Sequence, residues 1–469
     1  METEKQTPEL GSIPLSTSGT IRISWPEKIS FALGDAGCNM VWATLQAFMM
    51  FFYTDIAGIS AAFIGTMYFV IRIMDAFSDI GMGILVDRTN TKWGKARPYI
   101  LWLAVPMAIG MVLLFTAPDF STSGKQAYAF ATYFLVSVIL YTALAQPYNT
   151  MMALITNDQY DRSILNILRM GGGVLIAMTT GYFTLPLVNA FGGGKHGWQM
   201  MAVVYAIICV IFLVICFAGT KEKIKPVKEQ TVPVKVGLKA LFANKYWIMM
   251  LLLGTLTFMM FSMPAAWPYY AQYVMGNPMY VGTIMTMNFL SNLVIFIFIM
   301  PWLLKKIGKR NSVFVGFVLY AIGVVIILTN PTNYTTVIIA TLIRGAGFAP
   351  LVGTMYAFIA DTIEYGEWKT GVRSEGLTYS AASFGQKCGT GLGGALIGWL
   401  LAAGGYVANA PVQSAASMGM INFMFIWLQL IAYVLAVIIL LFYKLDKEYP
   451  AIIEELKQRK LNKVSEAGK

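Results

Sequence analysis

The sequence predicts an all-α membrane protein of twelve transmembrane helices in two six-helix bundles, and three observations carry that expectation. Of its 469 residues, 57% are hydrophobic and only 12% are charged, with a mean hydropathy of +0.64. A water-soluble fold cannot hide that much apolar surface behind so few charges. The apolar residues gather into runs near or above the roughly 20 residues that cross about 30 Å of hydrocarbon as a helix. The short alternating segments of a transmembrane barrel do not occur. Lys and Arg, finally, fall almost entirely on alternate loops, the pattern that orients a polytopic helical protein.

Taken in order, Met1–Glu27 is polar and lacks the apolar core of a signal peptide, so residues 1–27 are expected to be a cytoplasmic tail, with the first span as the insertion signal. Breaks in hydropathy place spans near 28–56, 60–87, 98–117, 127–155, 165–190 and 198–219, giving a first bundle over 28–219. Residues 220–245 read as a Lys- and Pro-containing connector with a short surface helix over 236–243. The second bundle, 246–443, holds spans near 246–274, 279–304, 312–329, 334–362, 374–402 and 417–443, and 444–469 is a second tail. One set of loops carries Arg88, Lys92, Lys95, Arg97, Arg162, Lys305, Lys306, Lys309, Arg310, Lys369 and Arg373, with the basic residues of the connector and tails. The other carries Lys125 and Lys195. Both termini are therefore expected in the cytoplasm and the chain in the cytoplasmic (inner) membrane. This asymmetry, rather than a nucleic-acid footprint, accounts for the net charge of +11. The four cysteines, Cys38, Cys209, Cys216 and Cys388, lie in apolar segments and fit neither a disulfide framework nor metal-ligand spacing.

A weak internal repeat relates the halves. The loop after span 2 reads Asp87-Arg88 and Trp93-Gly94-Lys95-Ala96-Arg97, and the loop six spans later reads Lys305-Lys306-Ile307-Gly308-Lys309-Arg310. The loops after spans 4 and 10 both mix charge: Asp158, Asp161 and Arg162 against Glu364, Glu367, Lys369 and Arg373. Two six-span bundles joined by a cytoplasmic loop is the repeat pattern of major-facilitator transporters. A monomer is that fold's default.

An ionisable group in hydrocarbon costs several kcal/mol, roughly 2.5–3.5 on insertion scales, so each one needs a reason. Span 2 carries Arg72, Asp75 and Asp79 at spacings of three and four, which put all three on one helix face. Two carboxylates one turn apart repel unless a cation lies between them or one is protonated. The set reads either as a coupling site for Na⁺ or H⁺ or as an ion-pair cluster that holds helices together. In span 1, Asp35, Asn39, Trp42 and Gln46 form a second stripe. It suits recognition of a sugar, with hydrogen bonds to hydroxyls and an indole against the apolar face; it suits polar glue between helices equally. Span 4 offers Tyr141, Thr142, Gln146 and Asn149, span 5 begins near Arg169, and span 11 offers Tyr379, Ser383, Gln386 and Lys387. A lone buried Lys387 wants a carboxylate, and Asp75 or Asp79 across the two bundles is the natural partner; the alternative is a lysine that merely pairs with a nearby backbone carbonyl. Trp267, Tyr269 and Tyr270 read as lining of the outer cavity or as interface-belt aromatics. The stretches Gly171-Gly172-Gly173 and Gly389–Gly394 lie in apolar helices, where small residues allow close packing, and are not phosphate loops. No nucleophile–base pair, metal-ligand cluster or nucleotide fingerprint occurs, so neither an enzyme nor ATP-driven transport is expected, and no cofactor beyond a coupling ion.

Several segments together resemble the glycoside–pentoside–hexuronide:cation symporter family. They are Lys28-Ile-Ser-Phe-Ala-Leu-Gly-Asp35, Phe52-Tyr-Thr-Asp55, Arg72-Ile-Met-Asp75-Ala-Phe-Ser-Asp79 and Trp93-Gly-Lys-Ala-Arg-Pro98. Tyr141-Thr142 with Pro147-Tyr148, Ala360-Asp-Thr-Ile-Glu-Tyr-Gly-Glu-Trp368, and Gly371-Val-Arg-Ser-Glu-Gly-Leu-Thr-Tyr379 through Lys387 complete the set, which spans both halves. The resemblance implies a major-facilitator fold with sugar bound between the bundles. It implies a cation site of Asp75 and Asp79 with Thr142 as a neutral ligand, Lys387 as their partner, and Arg169 as a substrate-holding residue. The galactoside-binding aspartates of some members would fall at Asn39 and Ala145, their span-2 asparagine at Ser78, and their sugar-site tryptophan at Asn149. A galactoside is therefore not expected, and Na⁺ and H⁺ both stay open. The span-1 Gly-Asp and the segment after Gly371 look closer to the glucuronide-transporting branch, and an anionic hexuronide would suit Arg169; a neutral pentoside disaccharide or β-glycoside is equally compatible.

The expected function is thus sugar:cation symport by alternating access, with Asp35, Asn39, Trp42, Gln146, Asn149, Arg169, Tyr379 and Ser383 toward substrate. Asp75, Asp79, Ser78, Thr142 and Lys387 would face the cation. Asp87, Arg88, Arg97, Glu364, Glu367 and Arg373 would form gating ion pairs on the inner side, weak singly but different between states. A lysolipid or other amphiphile transporter of the same fold is the rival reading; it predicts a mostly apolar cavity, against which the span-1 stripe argues. A membrane-embedded enzyme would need an acid–base pair near one face, and a sugar sensor a long signalling extension.

Overall fold

The computed structural model describes residues 21–224, 239–371 and 375–467. Among these the chain is helical, with one isolated bridge, Thr91 to Gly94, inside a turn. Helix α1 (Trp25–Phe51) runs on through a π turn at Phe52–Ile56. A short turn, with Gly58 at φ 71°, reverses the chain into α2 (Ala61–Arg88). There follow α3 (Arg97–Leu114), α4 (Thr122–Ile155), α5 (Gln159–Ala190), α6 (Gly194–Gly219) and α7 (Lys245–Val274). The run Tyr280–Thr329 is broken at Gly308, whose φ of 79° and ψ of 173° no α-helix contains, so it divides into α8 (280–307) and α9 (309–329). The rest are α10 (Tyr334–Thr370), α11 (Glu375–Ala403), α12 (Ala415–Leu441) and a polar tail helix, α13 (Leu445–Ala467). Eight of these runs combine the length and apolarity to cross a bilayer, the broken one counted once. Helices α1, α2 and α11, of 27, 28 and 29 residues, are as long and carry most of the ionisable groups singled out from the sequence. Residues 239–242 are helical, within the connector helix expected over 236–243, whose first residues lie outside the described ones.

The helix starts follow from their capping residues. Ser60, Ser121, Asp158, Asn244, Asn333 and Ser414 each accept a backbone N–H from the first turn of α2, α4, α5, α7, α10 and α12. At the other end of α10, Gly371 adopts φ 72°, the left-handed stop that a Cβ would disfavour. Among the described residues five π turns interrupt or extend the helices, at 52–56, 135–140, 270–274, 295–299 and 423–427. Such turns cluster at functional positions in helical proteins. The first holds Asp55, the second leads straight into Tyr141 and Thr142, and the third holds Tyr273.

Two bundles result. In the first, α1 packs on α5 and α6, and α3 on α6 and α4; in the second, α10 packs on α8 and α9, and α7 on α11 and α12. Between bundles, α2 packs on α11 and α5 on α8. Small residues allow the closest of these approaches. A Cβ on Gly398 would meet the Ala61 carbonyl oxygen at 2.5 Å and the Gly65 Cα at 2.7 Å. One on Gly391 would strike the Arg72 side chain at 2.6 Å, so the glycine-rich stretch of α11 is where the helices touch.

Alternation of the spans brings both ends of the described chain to one face, the termini side, where each bundle is tied by its own charges. Lys28 and Asp161 form a buried pair at 2.6 Å, and Lys223 meets Glu27 at 2.7 Å. Glu222 accepts the backbone N–H groups of Lys95, Ala96 and Arg97, each at 2.8 Å, and so caps α3 from beyond the end of α6. The N–H groups of Lys223 and Ile224 reach the carbonyl of Leu154 at the end of α4. In the second bundle, α13 folds back: Glu448 accepts from Tyr246, Glu455 from the Trp368 indole at 2.7 Å, and Arg459 donates to the Trp368 carbonyl at 2.8 Å. On the opposite face Lys195 bonds Asp119 and holds its carboxyl below the usual range. A carboxylate taking three backbone donors contributes about 1–3 kcal/mol that is lost with it. Glu222→Ala is accordingly expected to lower the thermal melting midpoint of the purified protein while leaving the second bundle's contacts intact. An unchanged midpoint would show that the tie carries no stability.

Candidate functional site

The site lies where α1, α2, α4 and α5 of the first bundle meet α11 of the second. Its centre is the charged face of α2. Asp75 is buried and receives Arg72 at 3.2 Å, one turn before it. It also accepts the Thr142 hydroxyl from α4 at 3.0 Å. Ser78 donates to the Asp75 carbonyl at 2.8 Å and lies 3.3 Å from the Thr142 hydroxyl. Lys387 crosses from α11 and lies 3.1 Å from Asp75 and 2.6 Å from Asp79. All five residues assigned toward the cation thus converge, and Lys387 meets both carboxylates rather than one. With Arg72 the cluster holds two cations and two carboxylates, and such a set is tolerable at this depth because each charge is paired.

Beside it lies the polar stripe of α1. Asn39 donates to the Asp35 carboxylate at 2.7 Å and to its carbonyl at 3.0 Å. Arg169, from α5, stands 3.8 Å from Asp35 and donates to Asn149 of α4 at 2.6 Å. Trp42 stacks on Tyr141, with ring centres 4.8 Å apart at 28°. Gln46 sits one turn farther along, beside Tyr68, Arg72 and Tyr133. Gln146, like Asn39 and Trp42, is half-buried, and Asn149 is exposed. On α11, Ser383 is half-buried and Tyr379 exposed, one and two turns before Lys387, while Gln386 donates to Tyr356 at 3.0 Å. One glycine that packing alone does not single out belongs here. A Cβ on Gly173 would stand 3.2 Å from the Asn39 amide and 3.3 Å from the Asp35 carboxylate, so its hydrogen makes room for that pair.

The two ends of the molecule differ. Opposite the termini, the bundles are latched. Asp55 is buried and accepts Tyr273 at 3.2 Å, Tyr406 at 2.7 Å and the Asn409 backbone N–H at 3.3 Å, all from the second bundle. The Asn409 amide also donates to the Asp55 carbonyl. Thr54 donates to Asp55 at 2.6 Å and shares a 2.7 Å hydrogen bond with Tyr269. Trp267, Tyr269 and Tyr270 are almost fully buried in this closed end rather than exposed as an interface belt would be. On the termini side α2 stands clear: a Cβ on Gly81 or Gly83 would meet nothing, and Phe77, Ile84 and Leu85 are exposed.

The residues assigned to gating lie around this open end. Arg97 donates to the Phe217 carbonyl at 2.7 and 3.0 Å and lies over that ring, within its own bundle. Arg88 is exposed, and Glu364 and Glu367 are half-buried near the end of α10. Arg373 and the side chain of Asp87 lie outside the described residues. Sequence reasoning did not reach the Asp55 latch, whose partners lie 215 to 354 residues away in the chain. It also missed Arg344 of α10, buried among Tyr320, Gln429 and the Phe425 carbonyl.

With this geometry in hand, likeness to known proteins is informative. A family described as MFS/sugar transport protein matches residues 30–447. The chain belongs to that family. An isoprimeverose transporter of Lactiplantibacillus pentosus is 37% identical to it, over 95% of this chain and 94% of its own. The glucuronide carrier protein homolog of Escherichia coli K12 is 30% identical, over 94% and 97%. The fold is shared with a bacterial homolog of the human lysosomal transporter Spinster, at a TM-score of 0.65 and 13% identity, covering 92% of this chain and 99% of that one. These relatives bear out the resemblance to the glycoside–pentoside–hexuronide symporters and the all-α major-facilitator fold. As a member of the MFS/sugar transport family, the protein is a multi-pass membrane transporter and not an enzyme.

Proposed function

We propose that this family member carries a neutral glycoside together with Na⁺ or H⁺ by alternating access, in the cytoplasmic membrane with both termini inside. One observation supports it above the rest: a carboxylate pair on α2 held by a lysine of the opposite bundle, beside a polar, half-exposed stripe suited to a sugar. Lys387 occupies the place where a coupling ion would neutralise Asp75 and Asp79, so ion binding and the contact between bundles compete for the same oxygens. The latched face at Asp55 and the clear face at Gly81 and Gly83 correspond to an inward-facing state. On outward opening, Arg88 and Arg97 would approach Glu364 and Glu367, with Asp87 and Arg373 alongside.

A neutral substrate is favoured over a hexuronide by the surroundings of Arg169. Its charge is already met by Asp35, and an anionic sugar would bring a second carboxylate against that one. The isoprimeverose named for one relative is neutral. The test is binding of isoprimeverose, methyl β-xyloside and methyl β-glucuronide to the purified protein, with and without Na⁺ and across pH. A neutral glycoside is expected to bind about tenfold or more tighter than the glucuronide, with an affinity that depends on one of the two ions. Preference for the glucuronide would reverse the assignment, and binding of none would favour an amphiphile.

A further inference from the structure

The two halves of the site are joined by one aromatic ring. The Arg72 guanidinium lies over the Trp42 indole, 4.2 Å from its centre. The indole stacks at 4.8 Å on Tyr141, whose chain neighbour Thr142 bonds Asp75. Arg72 itself bonds Asp75 at 3.2 Å, which closes a ring of contacts through Trp42, Arg72, Asp75, Thr142 and Tyr141. Trp42 also shares the α1 face with Asp35 and Asn39 and, like Asn39, is only half-buried.

On the basis of the transport function proposed above, we infer that Trp42 is the positioning residue that couples glycoside occupancy to cation occupancy. The buried Arg72 donates to the Tyr133 hydroxyl and to the Asp75 carboxylate and lies over the indole face, so its charge is shared among the three. A guanidinium drawn onto an aromatic face in a desolvated place gives up part of its hold on a neighbouring carboxylate. That leaves more of Asp75 for the coupling ion. A glycoside held by the α1 stripe against the half-buried Trp42 fixes the ring, and with it the position of Arg72. Without the indole, Arg72 settles wholly on Asp75 and competes with the ion. No contact between sugar and ion is needed, because each acts on the ring from its own side.

The test compares Trp42→Leu, which fills the slot without a π face, with Trp42→Phe, which keeps one. Cation affinity is measured first in the absence of sugar, as protection by Na⁺ or protons against thermal unfolding of the full-length protein. Trp42→Leu is expected to weaken the ion about 5- to 30-fold, the span of a desolvated cation–π contact, and Trp42→Phe to keep most of it. A tryptophan that only lines a sugar pocket leaves ion affinity unchanged in both variants, and one that only packs makes the two equal. Either result overturns the inference. Isoprimeverose affinity is then compared with and without the ion: the dependence should nearly vanish in Trp42→Leu. A dependence retained there overturns the coupling role alone, whereas no dependence in the unmodified protein overturns the proposed symport and the coupling role together.

Discussion

Asp79→Asn is expected to bring uphill accumulation of the glycoside to unity while exchange across the membrane continues. One elementary charge crossing 100 mV supplies about 2.3 kcal/mol, an accumulation ratio of about fifty, and that is what uncoupling removes. The structure separates this variant from its neighbour. Asp79 is partly exposed and among the described residues pairs with Lys387 alone, which has Asp75 at 3.1 Å as a second partner. Asp75 is buried with Arg72, and losing its charge leaves that arginine with only the neutral Tyr133 hydroxyl and the Trp42 ring among the described residues, a loss of about 3 kcal/mol for a broken buried pair. Asp75→Asn should therefore lower the melting temperature as well as the coupling, and Asp79→Asn chiefly the coupling. Labelled-glycoside uptake into vesicles under an imposed potential, set beside counterflow without one, reads both. Full accumulation by Asp79→Asn would remove it from the coupling site.

Asp55→Ala is expected to release the closed face. Three donors from the second bundle end on this one carboxylate, and hydrogen bonds to a charged group contribute about 1.5–3 kcal/mol each, not additively. A net loss of about 3 kcal/mol would move a two-state balance by more than a hundredfold. Gln46, in the small space beneath the latch, reports the change. A cysteine placed there should become reachable, from the face opposite the termini, by a thiol reagent that cannot cross the membrane. The native cysteines are buried or half-buried and give a low background. Equal labelling with and without the Asp55 change would show that the latch does not hold this end shut.

The parts of the site that were legible in the sequence share one trait: their helical neighbours are apolar. Arg72, Asp75, Asp79 and Lys387 are costly unless paired, so their presence already announces partners, and Asp35 and Asn39 sit one turn apart on a regular helix. The span positions were legible for the same reason, since a bilayer fixes both length and composition. What stayed hidden depends on geometry that spacing does not carry. Asp55 sits in a π turn, where the 3.6-residue period fails, and its donors are neutral tyrosines and a backbone N–H that no charge pattern marks. Arg344 donates through one terminal nitrogen to a tyrosine, an amide and a carbonyl, so no opposite charge points to it. Gly173 matters for the hydrogen it has instead of a Cβ, and a run of three glycines cannot say which one faces a carboxylate.

The charged ties on the termini face bear on how the chain is made. Glu222, Lys223 and Ile224 follow the last helix of the first bundle and fasten α3, α1 and α4. Helix α13 follows the last helix of the second bundle and fastens α7 and α10. Each half therefore receives its fastening from the residues synthesised immediately after it. The first half has every one of those groups in hand while the second is still on the ribosome, and it can finish folding before its partner emerges.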